Sequence, residues 1–244
     1  TASTMGLRML ESGAEAYRVE DSLQRLCRAY GADSCEIFAI PSLLIVSLCD
    51  PEGHSHTRVR RLYRRGTNLW QVDQLNSLCR AVCQGTPPFP EVDGSLARLA
   101  EAKGYSPLLQ LAGFAFVAAF FTLLFKGTAA DALCSLVAGA VIFFAKYPME
   151  RHRANSFFVN GACSFLAALT AIAGVRLGVG QNLDKIIIGA FMGLVPGVAI
   201  TNFMRDVLEG DLFAGITKLT ESLLTATALA FGAGIALSLL GGAA

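Results

Sequence analysis

Four stretches of the chain contain no Asp, Glu, Lys or Arg: 104–125 (22 residues), 154–175 (22), 186–204 (19) and 222–244 (23). A helix needs about 20 apolar residues to cross roughly 30 Å of hydrocarbon, so each stretch is long enough. A weaker fifth, 132–145, holds 14 uncharged residues and reaches 19 when extended back to Gly127 across Asp131. One such window can hide as a buried helix pair in a soluble protein. Five in succession predict a polytopic α-helical membrane protein with about five transmembrane helices, near 107–125, 128–145, 156–175, 186–203 and 220–240.

The charges that these windows lack are concentrated elsewhere. Residues 1–106 carry 12 basic and 12 acidic side chains, whereas residues 107–244 carry 8 and 7. The expected organisation is a small N-terminal α+β cytosolic domain over 1–106 and a transmembrane domain over 107–244. A net charge of +1 excludes a nucleic-acid binder that works by bulk electrostatics. A hydrophobic content of 53% excludes a disordered chain. Lys146, Arg151 and Arg153 follow the second window, and Arg205 and Lys218 follow the fourth; Lys126, Arg176 and Lys185 lie on the opposite side. With the basic N-terminal region, this bias predicts a cytoplasmic N-terminus and an external C-terminus in a bacterial inner membrane. The seven cysteines form no CxxC pair and are expected as free thiols. The first hundred residues are too polar for a cleavable signal peptide. The chain opens on Thr1 rather than Met, so its true start is expected upstream.

Within the polar region, Met5, Met9, Ser12, Ala16, Val19, Leu23, Leu26 and Tyr30 step alternately by four and three residues. This spacing predicts one helix of about seven turns, capped near Gly31. Its opposite face carries Glu11, Glu15, Arg18, Ser22 and Arg25. Strands are predicted at 35–41, 43–49 and 57–63, with Asp50-Pro51-Glu52-Gly53 as a turn. Helices follow over 72–83 and 95–103, with Pro87, Pro88 and Pro90 breaking the chain between them.

Several side chains here invite chemistry. Glu11 and Glu15 stand one helical turn apart with Arg18 beyond them, a pattern that can bind a metal or share a proton. It reads equally as a solvated face tied by Glu15–Arg18 and Asp21–Arg25 pairs. His54 and His56 in the turn can ligate a metal, but no second ligand pair has suitable spacing, so no metal or cofactor site is expected. Arg58, Arg60, Arg61, Arg64 and Arg65 form a basic run that suits lipid head groups, an anionic ligand or plain solvation. GxGxxG, P-loop, HExxH and GxSxG motifs are all missing from the sequence, so a standard enzyme has no support.

The fourth window is the most informative. Gly189, Gly193 and Gly197 recur every four residues as a small-residue stripe. Pro196 removes an N–H donor inside the window and predicts a broken helix. Thr201, Asn202, Arg205, Asp206, Glu209 and Asp211 follow at once. A broken, Gly/Pro-marked helix leading into polar groups is how many transporters build a substrate path. The same residues also fit a kink followed by a cytoplasmic loop. Asn160 and Asp131 are lesser polar candidates.

Two segments resemble the signatures of the bacterial threonine/serine exporter family. The first is Leu10-Glu11-Ser12-Gly13-Ala14-Glu15-Ala16-Tyr17-Arg18-Val19-Glu20-Asp21. The second is Val195-Pro196-Gly197-Val198-Ala199-Ile200-Thr201-Asn202-Phe203-Met204-Arg205-Asp206 with Gly210-Asp211. Arg65-Gly66-Thr67-Asn68-Leu69 fits as well. The resemblance implies a cytosolic, distantly hydrolase-like domain followed by about five membrane helices. Glu11, Ser12, Gly13, Glu15, Arg18, Glu20 and Asp21 are then signature residues of the cytosolic domain. Pro196, Gly197, Thr201, Asn202, Arg205, Asp206 and Asp211 are expected along the transport path.

Family members carry a second membrane half or receive it as a small subunit. Ending at Ala244, this chain resembles the larger subunit of a split exporter, or a truncated chain. The expected function is secondary, proton-coupled export of small hydrophilic metabolites, either threonine and serine or a dicarboxylate such as succinate. Its partners are then the bilayer, the substrate, a second small membrane subunit or further copies of itself, and no nucleic acid. The alternative is a membrane-anchored, hydrolase-like enzyme acting through Glu11, Ser12, Glu15 and Arg18.

Overall fold

The computed structural model describes residues 1–63, 66–102, 104–152 and 154–240. Arg64, Arg65, Lys103 and Arg153, named above, lie outside the described residues. The chain divides into two compact units: Thr1–Lys103 with Ala199–Leu219, and Gly104–Val198 with Thr220–Ala244. Residues 199–219, grouped by sequence with the membrane windows, therefore cluster with the N-terminal unit.

The N-terminal unit begins with α1 (Ala2–Glu11) and α2 (Ala16–Ala29). The predicted stripe is its buried face: Met5, Met9, Val19 and Leu23 are fully buried, and Ser12, Ala16 and Leu26 nearly so. The single long helix, however, is two helices, because Gly13 adopts φ +89° and ends the first. Gly31, at φ +82°, follows the second helix as expected. Strands β1 (Ser34–Ile40), β2 (Leu43–Cys49) and β3 (Ser55–Arg61) form an antiparallel sheet in sequence order. Leu44 and Val46 of β2 and Ala39 of β1 are buried among the stripe residues, while every residue of β3 is exposed.

Helices α3 (Leu69–Gly85) and α4 (Phe89–Glu101) complete the polar part. The break expected at Pro90 is instead the first turn of α4, where a missing N–H costs nothing. All seven cysteines are free. Burial is the leading cause that pushes the thiols of Cys27 and Cys79 up to about 12.

Four helices are long and apolar enough to cross a membrane among the described residues. They are α5 (Pro107–Leu124), α6 (Ala129–Arg151), α7 (Ser156–Arg176) and α10 (Leu212–Leu240). The fifth expected span, 186–203, is divided. It contains α8 (Leu183–Phe191, 9 residues) and α9 (Gly197–Leu208, 12 residues), separated by turns up to Pro196. At 1.5 Å per residue these reach only about 14 and 18 Å, each short of a bilayer core. Helix α6 runs six residues beyond its expected end at 145, so Lys146 and Arg151 are helical rather than loop residues.

Small residues set the packing of the membrane unit. Ala118, Ala138, Cys163, Ala167 and Ala190 are buried together around Ile142. A Cβ on Gly139 would meet the Phe114 carbonyl at 2.5 Å, and one on Gly193 would meet the Phe114 ring at 3.1 Å. Gly189 lies against Thr122 and Ala118. Two of the three stripe glycines thus serve close helix approach; a Cβ on Gly197 would meet no such tertiary neighbour within 4 Å among the described residues.

Candidate functional site

The first signature is built around the bend at Gly13. The Gly13 N–H donates to the Leu10 carbonyl and the Ala14 N–H to the Met9 carbonyl, both at 3.0 Å, closing α1. A Cβ on Gly13 would lie 2.7 Å from the Gly66 carbonyl oxygen, so only glycine suits both the φ and the approach. The approaching segment is fixed by two bonds. Gly66 donates its N–H to the Glu11 carbonyl (3.0 Å) and Asn68 its N–H to the Ser12 carbonyl (2.9 Å). Asn68 also caps α3, its Oδ1 accepting the Gln71 N–H at 3.0 Å.

The bend leaves Glu15 extended (φ −69°, ψ 138°) at the start of α2, with its side chain only 8% exposed. A buried carboxylate requires partners. Its Oε1 accepts from Arg205 Nη1 at 2.7 Å, across 190 residues of sequence. Arg18 Nη1 stands 3.5 Å from Oε2, and that oxygen accepts no hydrogen bond among the described residues. Arg205 keeps about half its side chain in solvent.

The next residue, Asp206, is wholly buried. Its Oδ2 lies 2.5 Å from Lys218 Nζ, while Oδ1 accepts no hydrogen bond among the described residues. Gly210 (φ +91°) turns the chain after α9, and Asp211 caps α10 by accepting the Ala214 N–H at 3.1 Å. Asp211 donates its own N–H to the Asp206 carbonyl at 2.8 Å. Glu20 accepts the Ala39 N–H at 2.7 Å and so ties α2 to β1.

These carboxylates influence one another. Burial raises the Asp206 pKa, Lys218 opposes that shift, and the charges of Asp211 and Glu15 add to it. Burial likewise raises Glu20, opposed by the Ala39 N–H and assisted by Asp211. Glu15, Glu20, Asp206 and Asp211, balanced by Arg18, Arg205 and Lys218, therefore form one electrostatic cluster. A buried carboxyl with raised proton affinity can bind and release a proton. A half-exposed guanidinium with only part of its fork engaged can take a further carboxylate.

The structure sorts the sequence candidates. Glu15, Arg18, Glu20, Arg205, Asp206 and Asp211 belong to the cluster. Glu11 does not share a helix face with Glu15, because the bend separates them; it pairs with Arg8 at 3.4 Å. Ser12 donates its hydroxyl to the Arg8 carbonyl at 2.8 Å. Asp21 forms an exposed pair with Arg25 at 3.0 Å. Pro196 and Gly197 fall in the membrane unit, and Thr201 and Asn202 in the segment 199–219 of the other.

Two participants escaped the sequence reading. Lys218, assigned there to a loop, is an inward side chain of α10 at 16% exposure. Asp131, rated a lesser candidate, is fully buried in the membrane unit. It closes a capping box with Thr128 and accepts from Gln181 N–H (2.7 Å), Asn182 N–H (3.0 Å) and Asn182 Nδ2 (2.8 Å). The spacing Thr128-x-x-Asp131 was the available signal.

Comparison with known proteins places the chain among relatives along nearly its whole length. The family described as "Putative threonine/serine exporter" matches residues 1–240. The "Probable succinate transporter subunit YjjP" of Klebsiella aerogenes is 26% identical over 238 residues, covering 96% of this chain and 91% of that protein. The protein of the same name from Escherichia coli strain K12 is 24% identical over 239 residues, covering 97% and 92%. No solved structure matches the chain.

Proposed function

Because this chain belongs to the threonine/serine exporter family, we propose that it is one subunit of a two-component secondary exporter for small dicarboxylates of the succinate type. Membership supports a multi-pass membrane protein of transport. The finer reading is supported most by one observation: Glu15, Arg18 and Glu20 of the first signature gather with Arg205, Asp206 and Asp211 of the second, with Glu15 on Arg205 and Asp206 on Lys218.

In this reading the N-terminal part faces the cytosol of a bacterial inner membrane and the C-terminus lies outside. Arg205 meets a substrate carboxylate, and Asp206 or Asp211 takes and returns a proton. Pro196, Gly197, Thr201 and Asn202 line the path where the helix is broken. The dicarboxylate is favoured over threonine or serine because both succinate-transporter relatives span at least 91% of their own length along this chain. Their description as subunits supports a second membrane subunit as the partner. The hydrolase-like alternative is disfavoured by Ser12, whose hydroxyl is spent on a helix carbonyl.

The test is efflux from cells co-expressing the chain with its partner subunit, preloaded with labelled succinate, threonine or serine. Succinate is expected to leave faster than from control cells, and Asp206→Asn at equal protein level is expected to abolish the gain. Export of threonine or serine alone overturns the substrate. Undiminished succinate export by Asp206→Asn overturns the role of Asp206.

A further inference from the structure

The turn between β2 and β3 gathers four side chains of metal-binding type, well apart in sequence from the carboxylate cluster. Asp50 follows β2 directly, and the turn brings the chain back at His54, with the Gly53 N–H bonded to the Asp50 carbonyl at 3.0 Å. Gly53, at φ +86°, permits this reversal. Asp50 Oδ1 accepts the backbone N–H groups of Glu52 (3.1 Å) and His54 (2.8 Å), which fixes the plane of its carboxylate. The other oxygen, Oδ2, is left facing two imidazoles: His54 Nδ1 at 3.3 Å and His56 Nε2 at 3.5 Å. His54 and His56 are two residues apart where the strand begins, so the pleat points them to one side. Two of the three histidines in the chain thus converge on a single carboxylate oxygen.

The spacing is informative. A tetrahedral ion with ligand bonds of about 2.0–2.1 Å sets its ligand atoms about 3.3–3.4 Å apart. The two imidazole-to-carboxylate separations bracket that edge. Glu52 supplies a further donor: ligand atoms of Asp50, Glu52 and His54 all lie within 4.8 Å of one another, and His56 joins this group through Asp50 Oδ2 alone. The second ligand pair that sequence spacing alone did not offer is therefore Asp50 and Glu52, delivered by the turn. Exposure of His54 (73%) and His56 (63%) leaves the site open to ions from solvent.

We propose that Asp50, His54 and His56, completed by Glu52, form a binding site for a zinc-type divalent cation. Imidazole nitrogen with carboxylate oxygen selects Zn²⁺, Ni²⁺ or Cu²⁺ over Mg²⁺, which prefers an all-oxygen octahedron. The site is independent of the transport reading, because it shares no residue with the carboxylate cluster.

The experiment uses the full chain in detergent, stripped of any affinity tag and washed with chelator. It is titrated calorimetrically with Zn²⁺ alone, with Mg²⁺ in parallel. One Zn²⁺ per chain is expected, with no heat from Mg²⁺. His54→Ala and His56→Ala should each weaken binding at least about tenfold, and His152→Ala should leave it unchanged. Co²⁺ supplies a second readout: nitrogen and oxygen ligands give ligand-field bands without the sulfur charge-transfer band that the free thiols would produce. No Zn²⁺ binding overturns the proposal. So does binding that survives in the His54→Ala/His56→Ala double variant, or a Co²⁺ spectrum dominated by sulfur. Because the three side chains replaced are exposed, circular dichroism of each variant should match the parent, and a variant that does not is replaced by its Asn counterpart.

Discussion

Each unit of the molecule buries an aspartate completely, and the two are treated in opposite ways. In the membrane unit, Asp131 is saturated. Its Oδ1 accepts Gln181 and Asn182 N–H groups, and its Oδ2 accepts the Thr128 N–H and the Asn182 amide. Four neutral donors fix the start of α6 to the start of α8, and no capacity is left over. Beside it, the Thr122 and Ser135 hydroxyls bond each other at 2.5 Å, and Ser135 donates to the Ile186 carbonyl. In the N-terminal unit, Asp206 faces Lys218 with one oxygen and Glu15 faces Arg205 with one of its own and Arg18 with the other; among the described residues the second oxygen of each accepts no hydrogen bond. A saturated buried carboxylate acts as a lock. A half-saturated one can change its protonation or its partner, at a standing cost in stability that a lock does not incur.

The largest expected effect therefore lies at the lock. Asp131→Ala strips the shared acceptor from four donors in an apolar surround, and a loss of about 3–5 kcal/mol is expected. The variant should melt far below the parent in detergent and accumulate poorly in membranes, with export falling only in proportion to protein. Melting at the parental temperature would break the comparison, because Asp131 would then be no more than a boundary residue.

Arg205→Ala is expected to cost less than Asp131→Ala, because water already reaches half of the guanidinium. What is lost is the strong acceptor contact of Glu15, which stays buried without it. Adding Glu15→Gln should recover part of the loss, since the neutral amide carries no charge to strand. A double-mutant cycle measures the coupling directly. Additive melting shifts would show that the 2.7 Å contact carries no energy.

The two units also differ in how much of them was legible. The apolar windows need only length and absence of charge, and α5, α6, α7 and α10 each overlap one of them. The window 186–203 passes the same test but fails as one helix, and Pro196 was the visible reason. The stripe from Met5 to Leu26 identified the buried face even though the helix is broken. Its four-and-three spacing runs undisturbed through the bend, and the need for a positive φ at Gly13 arises from Gly66, which is distant in sequence. The pairing of Glu15 with Arg205 was invisible for the same reason in stronger form: no local periodicity connects residues 190 apart. Sequence thus reads faces and spans well. Partners chosen by tertiary folding leave no local trace.

The smallest stability effect, and the sharpest discrimination between lock and switch, is expected at Asp206. Burial holds its folded pKa above the ordinary carboxylate value, with Asp211 and Glu15 adding to the rise. A group raised in this way favours the folded state most when protonated. Its contribution is fully present below the unfolded pKa and is lost as pH climbs through the folded one. Asp206→Asn carries a neutral side chain at every pH, so it cannot lose that contribution. The parent should therefore lose melting temperature relative to Asp206→Asn as pH rises from the acidic range toward neutrality, with the two curves converging at the acid end. Glu20, also raised, adds the same slope to both proteins and cancels in the difference. Parallel curves would mean that Asp206 stays ionised throughout, held by Lys218 as a permanent pair. It would then be a second lock, and the proton would have to be sought at Glu20 or Asp211.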